Sequence, residues 1–248
     1  MYNEQGDFTV QVCFSPLSWP LFDMGNSVVI VADIFRASTA ICTAIHHGVA
    51  AIIPVETIEE SEQWKARGYI SAGERDGKTL ACADFGNSPF NFMAEHLRGK
   101  TIVMNTTNGT RAINMAASKN PLVLVGSFIN LSAVCAYALQ YKKNIIILCA
   151  GWKDRFSMED TLFAGAAAEE IIKTGKGAYH TVCDSAIASI DLWQMAKHDP
   201  VLYIEKAAHR HRLKRLGLDD VIAYSLTLNQ VASVPVWNND RLVDSKAL

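Results

Sequence analysis

Two polar segments of this chain combine residue types that bind small anions, and each lies between an apolar run and a helix-like stretch. Residues 106–111 include threonine hydroxyls, Gly109 and Arg111, and residues 33–39 include Arg36 and two hydroxyls. A turn that opens a helix directs N–H groups outward at the positive end of the helix dipole, and glycine lets the backbone approach a ligand closely. Arginine adds a forked cation suited to phosphate, carboxylate or sulfonate. Two such turns predict a site for a small ligand with more than one negative charge.

Four acidic residues near predicted strand ends are candidate oxygen ligands of a hard cation such as Mg²⁺. They are Asp33, Glu74, Glu159 and Asp160, with Asp84 as a further candidate. Asp33, Glu159 and Asp160 are also candidate catalytic carboxylates. The structural alternatives are an ion pair between Asp33 and Arg36, and two adjacent acids that complement the dipole at a helix start.

The candidate substrate ligands share a position in turns that lead into predicted helices. They are Arg36, Ser38, Thr39, Asn87, Ser88, Thr106, Thr107, Asn108, Gly109, Thr110 and Arg111. For Ser38 and Thr39, capping of a helix is the structural alternative, and the same holds for Asn87 and Ser88 before Pro89.

The elements that must position these residues follow from the alternation of apolar runs with helix-like stretches. Predicted strands cover residues 28–32, 51–55, 69–72, 101–104, 122–125 and 145–149. Predicted helices cover residues 38–47, 58–67, 89–97, 110–117, 131–140 and 158–173. This order predicts an α/β fold with three layers, α/β/α, and a mostly parallel, mixed sheet. In such sheets ligands collect at the carboxyl ends of the strands, where the polar segments fall.

The last third of the chain has a different pattern. It predicts a helix over residues 184–197, one or two more over 201–216, and short strands at 221–224 and 234–237. We expect one domain over residues 1–248, with a smaller C-terminal α+β lobe from about residue 180 as the alternative. The basic run from His209 to Arg212 is typical of a solvated helix face, and a lid that touches an anionic substrate is the alternative.

Composition restricts the partners of this chain. Half of the 248 residues are hydrophobic and the formal net charge is −2, so no general cationic field attracts nucleic acid or anionic lipid. No apolar run approaches the roughly 20 residues that span a bilayer. The first seven residues lack the basic and apolar regions of a secretion signal. None of the six cysteines forms a C-x-x-C pair, which favours reduced thiols in a cytoplasmic protein.

Three known phosphate chemistries can be compared with the sequence. The chain has no G-x-x-x-x-G-K-[ST] loop, and Asp33 has no second aspartate two residues later, so P-loop and paired-aspartate chemistry are excluded by pattern. Cys149 and Arg155 match the C-x5-R spacing of cysteine-dependent phosphatases. That chemistry needs a thiolate cradled by N–H groups, whereas here Asp154 would lie in the cradle. A cysteine phosphatase using Cys149 therefore stays as an alternative.

Several segments together resemble a known family. They are residues 33–39, 72–74, 86–89, 106–111, Gly126 and Ser127 with Asn130, residues 150–151, and Glu159 and Asp160 with Gly165. In this order they resemble the Mg²⁺-dependent 2-phosphosulfolactate phosphatases (ComB-type), over about residues 28–173. The match is specific because many separate motifs occur in the family's order.

The resemblance implies an activity, a cofactor and a partner. The activity is hydrolysis of the phosphate ester of a 2-hydroxy acid, 2-phosphosulfolactate giving sulfolactate and phosphate, which in some organisms serves coenzyme M synthesis. The cofactor is Mg²⁺ and the partner a small anionic phosphate ester. A non-catalytic protein that binds a small dianion is the alternative from another class. The sequence does not determine the oligomeric state, and a homo-oligomer is one of the alternatives.

Overall fold

The structure is a computed structural model that describes residues 6–23, 25, 27–119 and 122–248. The strands are β1 Phe8–Cys13, β2 Ser27–Ala32, β3 Ala51–Val55, β4 Ile70–Arg75, β5 Lys78–Thr79, β6 Thr101–Asn105, β7 Val123–Val125, β8 Asn144–Cys149, β9 Tyr179–His180, β10 Pro235–Asn238 and β11 Arg241–Asp244. The α-helices are α1 Ala37–His46, α2 Ile58–Ala66, α3 Gly109–Ala117, α4 Leu131–Leu139, α5 Met158–Thr174, α6 Asp184–Ala196, α7 Pro200–Ile204, α8 Ala208–Arg215 and α9 Asp219–Ser225. Short 3₁₀ segments cover Pro16–Leu21, Pro89–Met93, Glu95–Leu97, Phe128–Asn130 and Ser245–Ala247.

The strands form one mixed sheet in the order β5-β4-β6-β3-β11-β10-β7-β2-β8-β1-β9. Strands β4, β6 and β3 are parallel to one another, and so are β7, β2, β8, β1 and β9. The hairpin of β10 and β11 joins these two runs, since Leu242 pairs with Ile52 of β3 and Val236 pairs with Leu124 of β7. These two pairings and the pairing within the hairpin are all antiparallel. Following these pairings across the sheet, the strands of one parallel run have the opposite direction to the strands of the other.

Helices cover both faces of the sheet, which makes three layers. The side chains of β2 are buried on both faces, with Val31 in one apolar cluster and Ile30 in the other. Ile41 of α1 packs in the first cluster, and Phe163 of α5 and Trp193 of α6 pack in the second. A strand buried on both faces reads as a continuous apolar run, as this strand does. The predicted α/β/α class with a mixed sheet is confirmed.

Helix α5 has 17 residues and packs directly against α6. A Cβ placed on Gly165 would lie 2.0 Å from the backbone oxygen of Ser189 in α6. The two backbones therefore approach each other at a point where only glycine fits. No helix in the part of the chain that the structure describes is long and apolar enough to cross a bilayer.

Most predicted elements occur in the structure, and three findings differ. Residues 221–224, predicted as a strand, belong to helix α9, where Val221 and Ile222 are buried together with Ser225 one turn later. A short apolar run does not distinguish a strand from a helical turn. Residues 89–97 form two 3₁₀ segments, because the backbone is extended at Ala94. Strands β1, β5, β9 and β11 were not predicted, although Val10 and Val12 of β1 alternate with less buried residues.

Candidate active site

The two predicted anion-binding turns lie side by side. Asp33 follows β2 and precedes α1, and Gly109 begins α3. A Cβ on Gly109 would lie 2.5 Å from Cβ of Ala37 and 2.7 Å from Oδ2 of Asp33. Because any larger residue would collide here, glycine permits the two turns to meet. The structure thus brings the segments 33–39 and 106–111 together in one site.

The hydroxyl groups of these turns form hydrogen bonds with other atoms of the protein. The backbone N–H of Asp33 donates to Oγ of Ser38 at 2.8 Å, and Oγ1 of Thr39 lies 2.7 Å from Oγ of Ser127. In the second turn, the N–H of Thr110 donates to Oγ1 of Thr106 at 3.1 Å. All four of these predicted ligands are buried, so their hydroxyls shape the turns and do not face the open cleft.

Glu74, at the end of β4, connects two loops. Its Oε1 accepts hydrogen bonds from the backbone N–H and the hydroxyl of Thr107, at 2.7 and 2.9 Å. Its Oε2 accepts from the N–H of Gly77 at 2.7 Å. Both carboxylate oxygens of Glu74 therefore already have donors within the protein.

Asp160, in the first turn of α5, connects the ends of β2 and β8 in the same way. Its Oδ1 accepts from the N–H of Ile34 at 2.8 Å, and its Oδ2 accepts from the N–H of Gly151 at 3.0 Å. Burial, with the negative charges of Glu159 and Asp33, raises the pKa of Asp160 well above its ordinary value. Asp160 thus holds the loops that carry the site. The further candidate Asp84 forms an ion pair with Lys65 and lies outside the cleft.

Asp33 and Glu159 have different surroundings from the other two acids. The pKa of Asp33 is raised to about 7, chiefly by burial; the charge of His209 opposes this rise, and the charges of Glu74 and Glu159 contribute to it. Nδ1 of His209 lies 2.5 Å from Oε1 of Glu159. Burial raises the pKa of Glu159, but the charge and the hydrogen bond of His209 outweigh burial, so this pKa lies below its ordinary value. Among the described residues, Asp33 forms no ion pair with a cationic side chain, whereas Glu159 is in direct contact with His209.

A narrow cleft opens between these turns, and we call it the inner cleft. Its walls include Asp33, Phe35, Arg36, Glu74, Asn87, Asn108, Trp152, His209 and Arg212. Arg36 is buried here and donates to the backbone oxygen of Gly77 at 3.3 Å. Burial lowers the pKa of Arg36, while the charges of Glu74 and Asp33 raise it. A buried cation next to a carboxylate suits a phosphate group that binds the cation and also binds a metal ion held by the carboxylate.

Some residues of the inner cleft were not among the predicted ligands, including Trp152, His209 and Arg212. Trp152 lies in the loop after β8, and His209 and Arg212 lie on α8. The ring of His209 packs between Trp152 and Phe35, with centroids 5.2 and 5.8 Å away. The spacing of three residues between His209 and Arg212 places both on one face of a helix. This spacing is the sequence feature that could have indicated that the two residues belong to one site. The basic run from His209 to Arg212 was interpreted as a solvated helix face or as a lid that touches the substrate. The position of His209 and Arg212 at the cleft fits the second interpretation better.

The remaining predicted ligands divide between the cleft and its edge. Asn87 and Asn108 line the inner cleft, and Oδ1 of Asn108 accepts from the N–H of Lys153 at 3.0 Å. Arg111 forms an ion pair with Asp154 instead of pointing freely into the cleft. Ser88 precedes a 3₁₀ segment and makes no capping hydrogen bond with its side chain. The contacts of these residues with a substrate stay predictions.

The fit of Mg²⁺ can be judged from the oxygen atoms at the inner cleft. Oδ1 of Asn87 is buried, and no group in the described part of the chain donates a hydrogen bond to it. It lines the same cleft as Asp33, and amide and carboxylate oxygens are ligands of hard cations. Among the residues that the structure describes, no three His, Cys, Asp or Glu side chains converge on a metal position. Mg²⁺ commonly takes one or two carboxylates and completes its shell with water and phosphate oxygens, so the carboxylate of Asp33 and the amide oxygen of Asn87 are chemically suitable ligands for it.

Cys149 ends β8 and is fully buried. Burial, followed by the charge of Asp160, raises the pKa of its thiol well above the ordinary value. A catalytic cysteine requires an accessible thiolate with a lowered pKa. The structure therefore gives no support to the cysteine-phosphatase alternative.

The fold and the inner cleft define an α/β protein with a small-anion site built on strand-to-helix turns. A family model described as 2-phosphosulpholactate phosphatase matches residues 13–240 of the chain. The chain therefore belongs to the 2-phosphosulpholactate phosphatase family.

Curated relatives agree with this assignment. A protein of Thermotoga maritima, named probable 2-phosphosulfolactate phosphatase, is 35% identical over 210 residues, which cover 85% of this chain and 88% of the relative. A protein of Parasynechococcus marenigrum with the same name is 36% identical over 219 residues, or 86% and 90% of the two chains. One from Clostridium botulinum strain Eklund 17B is 32% identical over 222 residues, or 88% and 92%.

Proposed function

We propose that this protein is a Mg²⁺-dependent phosphatase that hydrolyses the phosphate ester of a 2-hydroxy acid, with 2-phosphosulfolactate as substrate and 3-sulfolactate and phosphate as products. The observation that carries the proposal is the inner cleft, which is lined by Asp33, Arg36 and Asn87, whose buried Oδ1 has no hydrogen-bond partner among the described residues. The family assignment supports hydrolysis of a phosphate monoester as the reaction class. The names of the relatives support the choice of substrate.

The residues of the inner cleft have separate parts in this reaction. Asp33 and Asn87 would hold Mg²⁺, which when bound neutralises phosphate charge and orients the reacting oxygens. Arg36 binds the phosphate from the buried end of the cleft, where low exposure to water strengthens charge interactions. Glu74 and Asp160 hold the loops in place through backbone N–H groups, so the cleft is formed before the substrate arrives.

The test is release of inorganic phosphate from a panel of esters, measured with Mg²⁺ and with EDTA. We expect release from 2-phosphosulfolactate and 2-phospholactate in Mg²⁺, and loss of release in EDTA that added Mg²⁺ restores. Equal release in EDTA would overturn the metal requirement. Absence of release from every ester in Mg²⁺ would favour the non-catalytic binding protein.

A further inference from the structure

Arg212 on α8 is a half-buried cation that lines the inner cleft. Among the described residues its guanidinium forms no ion pair with a carboxylate. Two cations close to it do, since Arg210 pairs with Glu205 and Asp219 and Lys153 pairs with Asp76. Arg212 can therefore pair directly with an anion that enters the cleft.

Arg212 is also held in a defined orientation. Its guanidinium carbon lies 3.5 Å from the centroid of the Trp152 ring, a cation–π contact. The side chain is half-buried, and burial lowers its pKa. Stacking of the planar group on an indole leaves its N–H groups free to bind in the plane. A partly desolvated cation held in this way gains most from an anion that supplies the missing hydrogen bonds.

Arg212 lies between two connected spaces. On one side is the inner cleft with Asp33 and Arg36. On the other is a wider opening, which we call the outer chamber, lined by Arg155, Lys206, Phe156 and part of α8. Trp152, His209 and Arg212 line both spaces. A ligand whose reacting group lies at Asp33 and Arg36 therefore occupies a cleft that Arg212 also lines.

We propose that Arg212, stacked on Trp152, binds the anionic group of the substrate that is furthest from the phosphate and so determines selectivity for esters with such an arm. This inference rests on the proposed function. In 2-phosphosulfolactate the furthest group is the sulfonate on the third carbon, while the carboxylate is attached to the carbon that carries the phosphate ester. A sulfonate offers three oxygens to the N–H groups of a guanidinium, which suits the geometry of a planar fork.

The experiment compares two substrates that differ only at this arm. 2-Phospholactate has a hydrogen atom where 2-phosphosulfolactate has the sulfonate. The variants are Arg212→Gln, Arg212→Lys and the control Lys214→Gln, which removes the same charge from an exposed position on the other side of α8. Because a lost charge-assisted hydrogen bond changes affinity by one to two powers of ten, we expect Arg212→Gln to lower the ratio of kcat/KM for the two substrates about 10–100-fold.

The other variants make the interpretation specific. Arg212→Lys should recover only part of the ratio, since an ammonium cannot reproduce the stacked fork. Lys214→Gln should change the ratio by less than about threefold, the scale of a screened surface charge. Equal ratios in wild type and Arg212→Gln would overturn the inference. The ratio is internal to each protein, so partial unfolding of a variant does not imitate the expected result.

Calorimetric titration with sulfolactate separates the inference from the proposed function. If no ester is hydrolysed, the proposed function fails, and the titration still tests Arg212. Weaker binding of sulfolactate to Arg212→Gln than to Lys214→Gln supports the inference. Equal binding by these two variants, or no binding by the wild type, contradicts it.

Discussion

At the scale of single residues, Asp33 is the carboxylate on which the proposed metal site depends. Asp33 lines the inner cleft, whereas both carboxylate oxygens of Glu74 and of Asp160 already accept hydrogen bonds from backbone N–H groups. Asp33→Asn keeps the size of the side chain but removes its charge. We expect kcat to fall at least about 100-fold, because a charged ligand of the reacting phosphate's metal is lost.

The measurement is steady-state phosphate release at limiting and at saturating Mg²⁺. Asp184→Asn is a matched control, since Asp184 is exposed in the first turn of α6. Circular dichroism should show the same fold in both variants. Wild-type activity of Asp33→Asn at limiting Mg²⁺ would remove Asp33 from the metal site.

Arg111 tests whether the edge of the cleft binds substrate. If it holds an anionic group directly, Arg111→Ala should lower kcat/KM about 10–200-fold, and Arg111→Lys should recover part of the loss. The structure pairs Arg111 with Asp154, which suggests a suitable control. Asp154→Asn removes the ion pair but leaves the guanidinium. An equal loss in both variants would mean that Arg111 acts by holding the loop, and a loss below about threefold in Arg111→Ala would exclude it as a ligand.

Cys149 tests the thiolate alternative. Its side chain is buried in the core near the end of β8, so Cys149→Ala should lower stability by about 1–2 kcal/mol and keep most of the activity. Phosphate release and thermal unfolding of the same preparation provide both values. Complete loss of phosphate release in a folded variant would restore the cysteine mechanism.

At the scale of elements, the local sequence contains the turns but not all the partners they meet. The segments 33–39 and 106–111 can be found because hydroxyl, glycine and arginine residues follow apolar runs. The contribution of α8 could not be derived in the same way, since its basic residues fit a solvated face equally well. Tertiary packing decides which of these basic residues faces the cleft. Arg210 forms ion pairs with Glu205 and Asp219, and of the basic residues of α8 only His209 and Arg212 line the inner cleft.

The contact between α5 and α6 gives a prediction about stability. In a helix, alanine is about 1 kcal/mol better than glycine. At Gly165, however, the added Cβ would lie 2.0 Å from the backbone oxygen of Ser189, and overpacking of this kind costs about 1–3 kcal/mol or more. We therefore expect Gly165→Ala to lower the free energy of unfolding by about 1–3 kcal/mol in a urea titration.

Lys173→Ala is the control for this prediction, because Lys173 is exposed near the end of the same helix. Since α5 also carries Glu159 and Asp160, Gly165→Ala should reduce phosphate release together with stability. A Gly165→Ala variant that is more stable than the wild type would show that α6 moves aside without cost.

At the scale of the whole molecule, the class of fold follows from the alternation of buried strands and helices, but the order of strands in the sheet does not. Local patterns identify the strand over residues 234–237, which corresponds to β10. They do not show that β10 and β11 lie between β3 and β7, far from their neighbours in the chain. That placement depends on non-local pairings, such as Leu242 with Ile52, that no local window contains.

The hairpin joins both parallel runs, so its stability should control that of the entire sheet. Leu242 is fully buried in β11, and Leu242→Ala should lower the free energy of unfolding by about 2–5 kcal/mol. Arg241→Ala, at a partly exposed position in the same strand, should change it much less. Far-UV and near-UV signals should change at one urea concentration; a separate early transition for one run of strands would contradict joint unfolding.

The central position of the hairpin also affects how the protein is made. Nine of the strands precede β10 and β11 in the chain, so a ribosome synthesises them before the two that must separate β3 from β7. Until those residues emerge, the edges of β3 and β7 expose unpaired backbone groups that attract other strands. The growing chain therefore passes through a stage in which nearly all of its sheet has been synthesised but cannot be joined. During that stage, the edges of β3 and β7 are sites at which nascent chains can pair with one another.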